Sequence, residues 1–168
     1  MRRTLLASAA IAAAVVVGTV SLSAASEAAV PSMARSKTLI FHVVFSPFSL
    51  VAANNVRPPH SPVAIGDELT FHDQLFSRGR HAGDELGSCV VVSISPNPTL
   101  ANCTVIVRLP GGNIVGQTPA VPGPAPKQLA LTGGTGSYRN VGGAGTLVEF
   151  GNGKGRLTLH VMSFARQR

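Results

Sequence analysis

Past residue 37 the chain runs as short, β-branched apolar stretches separated by Gly, Pro and Asn. No stretch there carries apolar residues at a 3.6-residue period over three turns. The pattern predicts strands, with at most a single helical turn in SYRNV, residues 137–141. Eight strands are expected, over residues 38–50, 67–76, 87–95, 102–109, 113–118, 127–131, 144–150 and 156–164. The first bends at Pro47, because proline removes a ladder donor. The polar NNVRPPHSPVAI links the first two strands. TPAVPGPAPK, with four prolines in ten residues, predicts an extended surface crossover that stays out of any central ladder. Eight antiparallel strands with short connections lose their edges by closing on themselves, around packed side chains or one small ligand. The predicted class is all-β, an eight-stranded antiparallel up-and-down β-barrel, with a two-sheet sandwich as the alternative.

The N-terminal segment breaks this pattern. MRR is followed by a nearly charge-free run rich in Ala, Val and Leu over residues 4–22, and then by the small-residue stretch SAASEAAVPS. Basic, apolar and small segments in that order predict a secretory signal peptide over residues 1–28, although cleavage after Ala25 fits nearly as well. A retained anchor competes, since the run approaches the roughly 20 residues that span a bilayer. The Ala-rich composition and the lack of a basic stop-transfer cluster favour removal. Residues 29–168 then form one exported domain with no stable membrane span.

Charge adds little. Without Arg2, Arg3 and Glu27, the 14 basic and 7 acidic side chains fall to 12 and 6, a net charge of +6. The cations are scattered, with no run longer than RGR, one Tyr and no Trp. This distribution reads as a solvated basic surface, and no nucleic-acid partner is expected. Binding to anionic polymers remains a minor alternative.

The two cysteines, Cys89 and Cys103, flank SPNPTLAN, a turn between two apolar runs. In an oxidising compartment a disulfide across or beside this hairpin is the natural reading, with two free thiols as the alternative. Closing a loop of about 15 residues is worth ~3 kcal/mol in the chain-entropy view. No metal is expected, because neither His-x-His nor His-Glu-x-x-His spacing occurs.

Two stretches carry candidate chemistry. LTGGTGSYRNVGGAG, residues 131–145, fails the dinucleotide fingerprint, because Arg139 stands where the third glycine belongs. The only Gly-Lys, in GNGKG, is followed by Gly155 rather than Ser or Thr. Without a phosphate motif no cofactor is expected, and the glycines read as a tight turn and a kinked strand. In GDELTFHDQLF, residues 66–76, alternation puts Leu69, Phe71, Asp73 and Leu75 on one face. Asp73 there is either a desolvated carboxyl suited to acid or base work, or a structural group bonded to a turn or an arginine. His42, Glu149 and His160 are further interior candidates, each alone in its strand.

Together, LALTGGTGSYRNVGGAGTL, the upstream GDELTFHDQLF and their spacing resemble the allene oxide cyclase and dirigent barrel superfamily, particularly its small secreted bacterial members. Gly87, Cys89, Cys103 and the LPGG run at 109–112 fit the same resemblance. It implies an eight-stranded antiparallel barrel that binds a small hydrophobic molecule, and a homo-oligomer, dimer or trimer. Of the family's acidic positions Asp73 alone carries over; Ser137 and Gly142 stand where dirigent proteins commonly have an acid and an arginine. The expected function is a secreted barrel that steers cyclisation or isomerisation. Asp73 and His42 would transfer protons, while Phe71, Tyr138 and His160 contact the ligand. A non-catalytic binding or cell-surface module is the competing expectation.

Overall fold

A computed structural model describes residues 35–47, 49–53, 63–94, 99–121 and 123–163. The expected signal peptide, most of the NNVRPPHSPVAI connection and the SPNP turn lie outside these residues. The strands are β1 (Arg35–Val44), β2 (Ser49–Val51), β3 (Glu68–Ser77), β4 (Arg80–Ser93) and β5 (Leu100–Leu109). They continue with β6 (Gly112–Ala120), β7 (Lys127–Gly134), β8 (Val141–Glu149) and β9 (Lys154–Ser163). A single 3-10 turn, Gly136–Tyr138, falls within the expected SYRNV region.

Neighbouring strands pair antiparallel in the order β1-β9-β8-β7-β6-β5-β4-β3-β2, and a further β1–β3 pairing closes the sheet. Closure depends on the bent first strand. β1 pairs with β9 along its whole length, and its last residues, His42 to Val44, also pair with Phe76 to Gln74 of β3. The chain then passes Pro47, and β2 takes up pairing with Glu68 to Thr70. β1 and β2 are thus two halves of one barrel stave, and the architecture is a closed eight-stranded antiparallel barrel. Register shifts at Leu75/Phe76, Val91/Ser93 and Val115/Gly116 add the local bends that a closed sheet needs.

Alternation decides what lies inside. β5 follows it along most of its length: Ala101, Cys103, Val105, Val107 and Leu109 are buried while the residues between them are exposed. Leu75, Ile114, Leu157 and Leu159 are fully buried in the same core. Burying each such side chain contributes about 1.5–3 kcal/mol relative to leaving it in water.

Two expectations are corrected. β4 begins at Arg80 rather than at residue 87, because HAGDEL pairs with β3 and, from Asp84 onward, with β5. β6 runs through Pro119, which pairs opposite Asn102. The β6–β7 ladder has ended by Gln117, so Pro119 has a strand partner on one side only, where a missing N–H is tolerated.

The glycine-rich segment closes one end of the barrel. The Ser137 N–H donates to the Gly111 carbonyl (2.8 Å), and the Thr135 N–H to that of Asn113 (2.8 Å), so the β7–β8 and β5–β6 turns are locked together. Gly136, at φ 57°, lies so close to the Gly111 carbonyl that no side chain fits. Tyr138 packs against the core from this turn.

Candidate functional site

The acids and the lysine gathered in the interior come from β3, β4, β7 and β8; Thr118 of β6 and Asp67, just before β3, are buried as well. Asp73 and Glu85 are directly opposed across β3 and β4, in the phase that puts Leu75 inside, and are 4% and 1% exposed. Two residues along, on the same face, Phe71 is opposed to Gly87, and its ring fills the space a Cβ at Gly87 would need. Glu149, at the end of β8, is opposed to Gly155 of β9, and the ring of Phe45 covers that glycine. Lys127 at the start of β7 pairs with Glu149, Nζ to Oε1 at 2.6 Å.

The two opposed acids differ in their partners. Asp73 Oδ1 accepts the Ser46 N–H at 2.7 Å, a bond made where the chain turns between β1 and β2. Both carboxyl oxygens of Glu85 are buried without a hydrogen-bond partner among the described residues. Burial, reinforced by the nearby Asp73 and Glu149 charges, pushes Glu85 up to about 8. Burial also raises Asp73; the Ser46 N–H and His72 oppose that rise, while Glu149 adds to it. At neutral pH the proton of this pair therefore resides on Glu85, since only Asp73 has a donor to stabilise its charge. A neutral carboxylic acid beside a carboxylate can donate a proton on one side of a bound molecule and accept one on the other.

Of the residues singled out in the sequence, Asp73 and Phe71 lie inside, and Tyr138 caps the end of the core. His42 and His160 are corrected, because alternation in β1 and β9 turns Phe41, Val43, Leu159 and Val161 inward and leaves both histidines exposed on the outer wall. Thr38 Oγ1 and His160 Nδ1 lie 3.1 Å apart there. His160 lines an outer groove of about 530 Å³ with Lys37, Thr38 and Met162, and His42 a smaller one of about 310 Å³ with Phe76 and Phe150. Neither groove includes Asp73 or Glu85. Cys89 and Cys103 are register partners of β4 and β5 and form the expected disulfide. Among the described residues, no three His, Cys, Asp or Glu side chains are placed to hold a metal ion.

Glu85 is the residue that the sequence reading missed. Its signal was present: Glu85, Gly87 and Cys89 share one strand phase, which extending β4 upstream through HAGDEL would have exposed.

The fold and site define a small closed β-barrel with an acidic interior cluster. The chain belongs to the allene oxide cyclase barrel-like domain family, which matches residues 50–158. Among solved structures it is similar to a pyocyanin demethylase, with 24% identity and a TM-score of 0.65 over 74% of this chain and 99% of that one. A pterocarpan synthase dirigent protein shares 16% identity at a TM-score of 0.56, over 79% of this chain and 90% of the other. A Diels Alderase from Streptomyces koyangensis shares 15% identity at a TM-score of 0.59, over 76% of this chain and 64% of the other. No protein of curated function matches the chain in sequence.

Proposed function

We propose that the barrel binds a small apolar molecule in its interior and steers a cyclisation or isomerisation, with Glu85 as proton donor and Asp73 as proton acceptor. The observation that carries this reading is the opposed pair itself, a buried acid without a partner facing a carboxylate that has one. Phe71 presents aromatic surface beside the pair and Phe45 beside Gly155, opposite Glu149, and apolar walls hold a flexible substrate near one reactive conformer. The likeness to barrels described as a Diels Alderase and as a dirigent pterocarpan synthase supports a ring-forming or rearranging chemistry. The Cys89–Cys103 disulfide suits an oxidising compartment, in keeping with export.

Mass spectrometry of small molecules that co-purify with the exported protein identifies the ligand class, and turnover is then measured for Asp73→Asn and Glu85→Gln. Each variant is expected to lose about 10²–10⁴-fold in rate, the usual contribution of a positioned acid or base. Full turnover in both variants removes the acid–base role. A second reading, a non-catalytic binding module, is favoured by the position of both grooves on the outer wall. Retention of a molecule at His42 or His160 with none inside the barrel would establish it.

A further inference from the structure

The interior carries an imbalance of charge that the proton transfer described above does not require. Asp73 on β3, Glu85 on β4 and Glu149 on β8 face inward, and among the described residues the ammonium of Lys127 on β7 is the one cation that joins them. β1, β5, β6 and β9 turn in chiefly apolar groups, such as Val43, Val107, Ile114 and Leu157. His72, on the outer face of β3, acts on Asp73 from outside and is itself drawn to Asp84, Nε2 to Oδ1 at 3.4 Å. Lys127 is committed to Glu149, leaving Asp73 and Glu85 to face each other without a cation between them.

Two carboxylates opposed across neighbouring strands in an apolar interior cannot both readily stay ionised unless a positive charge joins them. A proton kept on Glu85 meets this constraint. A bound cation would meet it equally well, and Phe71, two residues from Asp73 on the same face of β3, and Phe45, whose ring covers the Gly155 opposed to Glu149, add aromatic groups of a kind that attract positive charge. A bare metal ion fits poorly, since no three ligands converge among the described residues. An organic cation with charge spread over an apolar body satisfies both the carboxyls and the walls.

We infer that the ligand of this interior is an apolar molecule bearing a positive charge, seated between Asp73, Glu85 and Glu149, and that Glu85 releases its proton to solvent when the ligand binds. This rests on the small-molecule reading above, narrows it to a substrate class and changes one role in it: with a cation bound, Glu85 is a carboxylate like Asp73, so both accept protons and neither donates one.

The test uses the disulfide-bonded exported chain and a pair of fluorescent probes of equal shape, 10-methylacridinium and neutral acridine. At about pH 8 the cation is expected to bind at least about tenfold more tightly, the equivalent of one unit of carboxyl ionisation. Its affinity should rise about tenfold per pH unit between roughly pH 6 and 8, then level off as Glu85 ionises without help. Calorimetry in buffers of different ionisation enthalpy should register close to one proton released per cation bound below that plateau. Glu85→Gln should abolish both the pH slope and the proton release; because the wild-type pH series needs no variant, poor folding of E85Q would not block the test. Equal binding of both probes with no pH slope overturns the cationic ligand and leaves the small-molecule reading standing. A cation preference that persists unchanged in a folded E85Q protein overturns the assignment to Glu85. Binding of neither probe, with no molecule co-purifying, overturns both readings.

Discussion

Asp73 and Glu85 face each other across β3 and β4 inside the barrel, yet only Asp73 receives a hydrogen bond, from the Ser46 N–H at 2.7 Å. A single backbone donor, delivered where the first stave bends, thus makes two neighbouring carboxyls chemically unequal.

Stability should depend on pH through Glu85. Its folded value of about 8 lies above the ordinary 4.5, so the folded state holds a proton that the unfolded chain has lost. The stabilisation is complete below about pH 4.5 and declines as pH rises towards 8, on the order of 1 kcal/mol per unit. Urea titrations from acid to mildly alkaline pH should follow this decline, and Glu85→Gln should flatten it. A wild-type curve that coincides with the variant's across the window would contradict the burial of this acid.

Glu85→Met should stabilise the protein while removing its chemistry. Methionine has a similar length and no polar atoms to leave unsatisfied, so unfolding at neutral pH should cost about 1–3 kcal/mol more. The measurement is the urea midpoint beside the turnover or ligand retention of the same sample. A destabilised variant would mean that the carboxyl has a partner in solution.

Reducing the Cys89–Cys103 bridge, or replacing both cysteines with alanine, should lower stability by about 3 kcal/mol. The fold should survive, because the bridge joins residues that are already register partners in the β4–β5 ladder. Far-ultraviolet circular dichroism would retain its β signal while the unfolding midpoint falls.

Gly143→Ala should be more costly than Gly151→Ala. Both glycines have positive φ, 133° and 77°, but a Cβ at Gly143 would overlap the His160 carbonyl oxygen, whereas at Gly151 it would meet open space. Gly151→Ala should cost about 1–2 kcal/mol from backbone strain alone, and Gly143→Ala more than that. Thermal unfolding of the two variants side by side decides it.

Much of the fold was legible because strand alternation and glycine or proline punctuation are local properties. The inward phase of Leu69, Phe71, Asp73 and Leu75, the bend near Pro47 and the turn at GGTGSY all follow from near neighbours in sequence. His42 and His160 were misplaced for a related reason: a single histidine in a strand of mixed polarity does not reveal its phase until the flanking apolar positions are assigned to a face. In β1 those positions proved to be Phe41 and Val43.

The sequence by itself determined the alternation, the punctuation and the glycines that let two turns meet, because each depends on the conformational limits of a few consecutive residues. Only the tertiary structure decided that Asp73 faces Glu85, that Glu149 joins them with Lys127, and that one of the three acids lacks a partner. Those relations arise when distant strands close into a ring, where a carboxyl's burial and charged neighbours are set by parts of the chain far from it in sequence.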